Sequence, residues 1–188
     1  MTPDLFPGVG FERDVNARYT TTAFMTYIKR VAGVEAWDLD VDACTESHWA
    51  PRWFSKTAEP GSAGVDSLSH FWGPPGWSSE TRHWRVFINP PFDDIEPRLV
   101  KMWALVEYFK VNRGSLTAAM VLPANRCEQP WWQEHVEPFI EGHERECRFA
   151  YQLTVHSPPT RQAYGVPGNR EGIGCDGTPW PSCVLVWR

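Results

Sequence analysis

The sequence predicts an α/β fold with a largely parallel sheet. Two observations predict it. Short apolar runs of strand character alternate along the chain with segments of helical spacing. Two of those runs end in chemically equipped residues, Asp40-Val41-Asp42-Ala43 and Asn89-Pro90-Pro91-Phe92. Ligands of open α/β sheets gather beyond such carboxyl ends. The 188 residues suit one domain with a proper core.

The elements follow in order. Residues 1–18 are polar and mixed and form an N-terminal arm; residues 19–188 form the domain. Thr20-Thr21-Thr22 offers capping hydroxyls ahead of an amphipathic helix over 24–32, which Gly33 stops. Trp37-Asp38-Leu39-Asp40-Val41 reads as a strand ending in acids. Residues 45–80, rich in Ser, Gly, Pro and Trp, leave room for one or two short strands. A strand over 85–88 delivers Asn89. Helical spacing over 95–110 puts Leu99, Met102, Val106 and Phe109 on one face, and Arg113-Gly114 ends it. A buried strand over 116–122 stops at Pro123, a short helix spans 128–136, and a strand spans 148–155. Residues 156–182 form a long Gly/Pro-rich loop, of a length that marks functional or mobile segments. A last strand covers 183–187. There are no internal repeats.

Composition narrows the function. With 42 % hydrophobic and 22 % charged residues the chain is globular rather than disordered. No apolar run approaches a membrane span. The start, Met1-Thr2-Pro3-Asp4, lacks a basic-then-apolar signal, so a cytoplasmic location is expected. Five cysteines, odd in number and never spaced Cys-x-x-Cys, argue against a disulfide framework and against zinc. The histidines are scattered, and no metal site is expected. A net charge of −5 weighs against a broad nucleic-acid face, leaving room for a local patch drawn from Arg82, Arg85, Arg161 and Arg170. The loop residues Arg161, Tyr164, Asn169 and Arg170 are the expected reach toward a polar partner. Of the 11 tryptophans, Trp37, Trp103 and Trp187 sit inside apolar patterns and belong to the core. Trp72, Trp77, Trp131 and Trp132 sit near turns, where an indole could stack on a base.

Asn89-Pro90-Pro91-Phe92 is the most specific signal. A chance match to this pattern in a chain of this length is on the order of 1 %. The corner suits methylation of an amino group conjugated to a ring or carbonyl. The lone pair of such a nitrogen is delocalised, and an acceptor on each of its two N–H bonds helps to free it. The Asn89 side-chain oxygen and the Pro90 carbonyl supply two acceptors. The prolines fix the backbone and add no competing N–H. Phe92 can stack on a flat base and hold it at attack distance. Ser157-Pro158-Pro159-Thr160 also follows a strand-like run, but it lacks the aromatic and reads as a turn.

From about Tyr19 onward the order of these pieces resembles a known family. It runs from the Thr-rich segment before the first helix through Leu39-Asp40-Val41-Asp42-Ala43, then Asp66-Ser67-Leu68 with Trp72, then Asn89-Pro90-Pro91-Phe92. Val121-Leu122-Pro123-Ala124, Arg148-Phe149 and the closing segment from Pro179 to Trp187 complete it. The chain is similar to the phage-type DNA N6-adenine methyltransferases, the short Dam-like family. The resemblance implies a single-domain Rossmann-like fold that uses S-adenosylmethionine, with DNA as substrate and base flipping to expose the adenine. It also implies a phage or prophage setting. Tyr19, Thr20, Thr21 and Thr22, the acids Asp40 and Asp42 with Ala43, and Asp66 would hold the cofactor; Asn89 to Phe92 would catalyse. Ala43-Cys44-Thr45-Glu46 stands where the family has a glycine-rich turn, and Asp42 where it has a small neutral residue. The alternatives are methyl transfer to an RNA adenine or a protein glutamine amide, or a methyltransferase-like binding module without activity.

Overall fold

A computed structural model describes residues 19–76, 83–140, 153–158, 164–165, 169 and 181–188. The elements are β1 (Tyr19–Thr20), α1 (Thr22–Ala32), β2 (Leu39–Ala43), β3 (Arg52–Ser55), β4 (His83–Ile88), α2 (Glu96–Val111), β5 (Ser115–Pro123), α3 (Pro130–His135), β6 (Leu153–His156), β7 (Tyr164–Gly165) and β8 (Ser182–Trp187). Short 3₁₀ turns cover Ser67–Ser69 and Glu137–Phe139. The main sheet has six strands in the order β3-β2-β4-β5-β8-β6. Strands β3, β2, β4 and β5 are mutually parallel, and β8 is antiparallel to both β5 and β6. β8 is therefore the one reversed strand of the six. No helix among the described residues is long and apolar enough to cross a membrane.

Side-chain alternation builds two cores, one on each face of the sheet. Val86, Ile88, Ala118, Met120, Leu122 and Leu185 face Leu99, Met102, Val106 and Phe109 of α2. Phe87, Ala119, Val121, Val184 and Val186 face Phe24, Met25 and Ile28 of α1. Helix α3 joins the α2 side through Trp132, with Val136 just beyond it.

The helix ends obey the local chemistry of their residues. The Phe24 N–H donates to Thr21 Oγ1 (3.3 Å), which caps α1. Gly33 closes α1 in the left-handed region at φ 70°, donating to the Arg30 carbonyl, and Val34 donates to the Lys29 carbonyl. Pro97 sits at the start of α2, where its missing N–H costs nothing. At the other end Arg113 takes φ 53° and the Gly114 N–H reaches the Phe109 carbonyl (2.9 Å).

Two sequence expectations change. Trp72 is not a surface stacking platform but is 1 % exposed. Its indole donates to the Ser67 carbonyl (2.8 Å), and the Trp84 indole donates to the Trp72 carbonyl (2.8 Å). A large apolar ring with a satisfied N–H is worth more inside than at the turn its neighbours suggest. Trp132 is likewise buried and Trp131 half-buried, while Trp77 lies outside the described residues. Trp37 and Trp187 are core residues and Trp103 packs against the core, as expected. The 156–182 segment is not loop throughout, because β7 within it pairs antiparallel with β1. The strand expected over 148–155 is described only as β6, and 148–152, with Arg148 and Phe149, lie outside the described residues.

Candidate functional site

The chain runs from β2 outward to β3 and then returns to place β4 on the other side of β2. The strand order thus reverses between β2 and β4, and a cavity of about 780 Å³ opens at their carboxyl ends. Most of the predicted residues meet here. β1 contributes Tyr19 and Thr20. β2 contributes Asp40 from within the strand and Asp42 and Ala43 from its end. The end of β4 contributes Asn89, Pro90, Pro91 and Phe92, and the turn after β3 contributes Asp66.

Asp40 is the unusual group. It lies in an interior strand, beside Trp53 of β3 and Phe87 of β4, and is 2 % exposed. The Trp49 N–H donates to its Oδ2 (2.9 Å), while its Oδ1 is buried without a hydrogen-bond partner. Burial pushes the Asp40 carboxyl up to about 8; the Trp49 N–H pulls the other way and nearby Asp42 adds to the rise. An orphaned buried carboxyl oxygen on a cavity wall is a costly feature that a bound donor or cation would relieve.

Asp42 is neutralised from across the site. Arg98, one turn into α2 and 6 % exposed, grips it at both oxygens (Nε–Oδ2 2.7 Å, Nη2–Oδ1 2.8 Å). Arg98 Nη1 also holds the Asp94 carboxylate (2.5 Å) and carbonyl (2.9 Å). Burial disfavours the Arg98 charge, but the two carboxylates outweigh it and raise its pKa. Ser67 Oγ donates to Asp42 Oδ1 (2.9 Å), tying the 3₁₀ turn to the same cluster. Asp42 therefore lines the cavity as half of an ion pair, whereas Asp40 lines it with an oxygen that has no hydrogen-bond partner.

The turn Ala43-Cys44-Thr45-Glu46 contains no glycine, and a carboxylate organises it. Glu59 Oε2 accepts from both the Thr45 N–H (2.5 Å) and the Thr45 hydroxyl (2.6 Å), and Cys44 and Ser47 exchange backbone bonds. Asp66 adopts φ 58°, a conformation that Asp tolerates better than most residues. Its carboxylate accepts from the Leu68 N–H (3.2 Å) and the Ser69 hydroxyl (2.6 Å). At the Asn89-Pro90-Pro91-Phe92 corner Asn89 Nδ2 donates to Thr20 Oγ1 (3.3 Å), which links the end of β4 to β1. Pro90 is buried, and Pro91 and Phe92 are half-exposed.

Some predicted residues are elsewhere. Thr21 is the cap of α1, and the Thr22 carbonyl accepts from Thr26 Oγ1 (2.9 Å) inside the helix; neither lines the cavity. Tyr164, expected to face DNA, is 3 % exposed, packs edge-on against Phe24 and shares a hydrogen bond with Ser182 Oγ (2.8 Å). Its pairing with β1 turns the ring into the α1 core. Asn169 is half-buried, and Arg82, Arg161 and Arg170 lie outside the described residues. Arg85, within the interior strand β4, is held by Asp38 through two contacts of 2.8 Å, so it is half of an ion pair rather than part of a basic patch. Lys56, Glu59, Ser67 and Arg98 line the cavity without having been expected there. Of these, Arg98 had a signal: an arginine on the apolar stripe that Ile95, Leu99 and Met102 define. At the α2–α3 contact, Glu96, Glu134 and His135 bring three possible ligand atoms within 4.8 Å of one another, with both glutamates exposed.

The cavity wall as a whole is acidic, with Asp40, Asp42, Glu59, Asp66, Asp93 and Asp94 against Lys56 and Arg98. It suits a ligand that carries positive charge. Neither the protein-family models nor the curated proteins contain a match to this chain.

Proposed function

We propose that this protein is an N-methyltransferase that moves a methyl group from S-adenosylmethionine to the N6 amino group of adenine in DNA. One observation carries the reading. The two-acceptor corner at the end of β4 and the orphaned Asp40 carboxyl of β2 open onto the same cavity.

The residues present fit the cofactor. About 780 Å³ lies within the roughly 300–1,000 Å³ of small-molecule sites. Asp40 Oδ1 offers an acceptor for a cationic or hydroxyl group, and Tyr19, Ser67 and Asp66 flank the remaining wall. When bound, S-adenosylmethionine supplies a methyl carbon made electrophilic by its sulfonium.

The chain's own contribution is at the acceptor. Asn89 Nδ2 donates to Thr20 Oγ1, and in this reading the Asn89 side-chain oxygen accepts one substrate N–H. The Pro90 carbonyl takes the second N–H, and the Phe92 ring lies against the face of the base. With both N–H bonds engaged by Asn89 and Pro90, the nitrogen lone pair would be freed from conjugation to attack the methyl carbon as a neutral nucleophile, the new C–N bond forming as the methyl–sulfur bond breaks and S-adenosylhomocysteine leaves. The methylated nitrogen would be strongly acidic and would pass its proton to solvent without a dedicated base. An adenine must leave the duplex stack to reach this corner.

The test is transfer of labelled methyl to unmethylated DNA, with wild type beside Asn89→Ala. The variant is expected to lose about 10²–10³-fold, as for removal of a preorganised hydrogen-bonding group. It is also expected to keep the rise in Tm that S-adenosylmethionine gives the wild type. Equal rates in the two proteins would refute the role of Asn89.

A further inference from the structure

The backbone joins the two halves of the large cavity only at their base. The ladder between β2 and β4 pairs Leu39 with Val86 and Asp40 with Phe87 and ends there, short of Asp42 on one strand and of Asn89 beyond the other. β4 stays bound on its far side, where Ile88 pairs with Met120 of β5. The spacing between the β2 wall and the Asn89-Pro90-Pro91-Phe92 corner is therefore left to side chains.

Arg98 spans that gap. Its Nε and Nη2 grip Asp42 at the end of β2 (2.7 and 2.8 Å). Its Nη1 holds the carboxylate (2.5 Å) and the carbonyl (2.9 Å) of Asp94. Asp94 belongs to the corner, because its N–H donates to the Pro91 carbonyl (3.1 Å) and closes the turn that carries Phe92. All three guanidinium nitrogens are thus engaged, in a planar fork that a lysine cannot reproduce. The group is buried, so these bonds form away from competing water. Ile95, at the head of α2, gives no side-chain cap, and Arg98 braces the turn from the helix side instead. α2 also reaches the turn after β3, through Lys101 Nζ to the Ser67 carbonyl (3.4 Å), while Ser67 Oγ donates to Asp42.

Building on the proposed methyl transfer, we infer that Arg98 is a positioning residue: through Asp42 and Asp94 it sets the distance between the cofactor wall and the acceptor corner. In this role it acts through those carboxylates and not on the reacting atoms. What it fixes is how far an amino nitrogen held at Asn89 stands from the methyl carbon, and an error of about 1 Å there can cost about 10²-fold in rate. Asp42 stands where the resembled family has a small neutral residue, so the bridge is this chain's own feature and not part of the family's motif.

Two measurements test it, the first without any ligand. Hydrogen exchange compares wild type with Asp42→Asn, which cuts the ion pair on the β2 side. Amide exchange over residues 91–99 is expected to speed up by at least about twofold, the low end for residues that share a network, while the α1 amides keep their wild-type rates. The second is methyl transfer to unmethylated DNA by Asp94→Ala, whose side chain is 46 % exposed, so the core is spared. Its kcat should fall about 10–100-fold with KM for S-adenosylmethionine unchanged, and Asp94→Glu, which restores the carboxylate, should recover most of the loss. Unchanged exchange over 91–99 overturns the bridge whether or not methyl is transferred. Exchange that rises equally in α1 is general loosening and overturns it too. Unchanged kcat in Asp94→Ala would show that the bridge braces the fold but not the site, and the inference falls. If wild type transfers no methyl, faster exchange confined to 91–99 supports the bridge, and the failure belongs to the methyl-transfer reading.

Discussion

Replacing Asp40 with Asn tests the electrostatics of the site without a substrate. Asp40 keeps its proton up to about 8 in the folded protein, against an ordinary value of 3.8. Between those values the folded state holds a proton that the unfolded chain has released. Stability is therefore fully present at low pH and falls as pH rises through this window, by about 1.4 kcal/mol per pH unit. From about pH 5 to about pH 8 the loss is on the order of 4 kcal/mol. For a chain of this size each kcal/mol is worth roughly 2–4 °C, so the wild-type Tm should fall by ~8–16 °C relative to the variant. Asn is nearly isosteric, can still accept the Trp49 N–H and does not titrate. Asp42, the other acid facing Asp40, is present in both proteins and cancels in the comparison. The assay is thermal unfolding of both proteins across that range, followed by circular dichroism. Parallel curves would refute the argument that Asp40 is a proton-holding buried acid. With S-adenosylmethionine added, the wild-type slope should flatten, because a cation beside Asp40 lets it ionise without loss.

Two further substitutions probe the scaffold. Arg98→Met leaves Asp42 buried without its cation and should cost about 3–5 kcal/mol, read by urea unfolding; adding Asp42→Asn should recover most of it, and a double variant no better than the single would show that the pair is not the cause. Gly33→Ala meets no atom within 4 Å, so only the backbone strain at φ 70° opposes it; a loss of about 1–2 kcal/mol is expected, and no change in midpoint would mean that the cap relaxes freely.

What the sequence showed depended on how local each signal was. Thr21 and Gly33 mark the two ends of α1 through their own local chemistry, and the structure puts them there. Val86, Phe87 and Ile88 announced a buried strand, and the corner after it was readable from four consecutive residues. The site's long-range couplings were not readable. Asp42 and Arg98 are 56 residues apart, and nothing near Asp42 says which cation will reach it. Glu59 organises a turn 14 residues earlier, so the lack of glycines after β2 gave no hint of what replaced them. Tyr164 was misplaced for the same reason: a tyrosine in a Gly/Pro-rich stretch looks exposed until its pairing partner on β1 is known. Strand order was the hardest of all. The apolar run 183–187 shows that both faces are covered, but not that its neighbours are β5 and β6.

That last placement has a consequence for how the molecule assembles. β8 is the final strand in chain order, yet it sits in the interior of the sheet, and β6 pairs in the main ladder only with it. As the chain emerges from the ribosome, β2 through β5 can zip together while β6, joined to earlier described residues by the single Ile140–Leu153 bridge, still lacks its ladder partner. The sheet is joined only when residues 182–187 arrive and slot in backwards between two earlier strands. Such late, distant pairing slows folding, and in the interval the β5 edge is a sticky surface that a chaperone would be expected to cover.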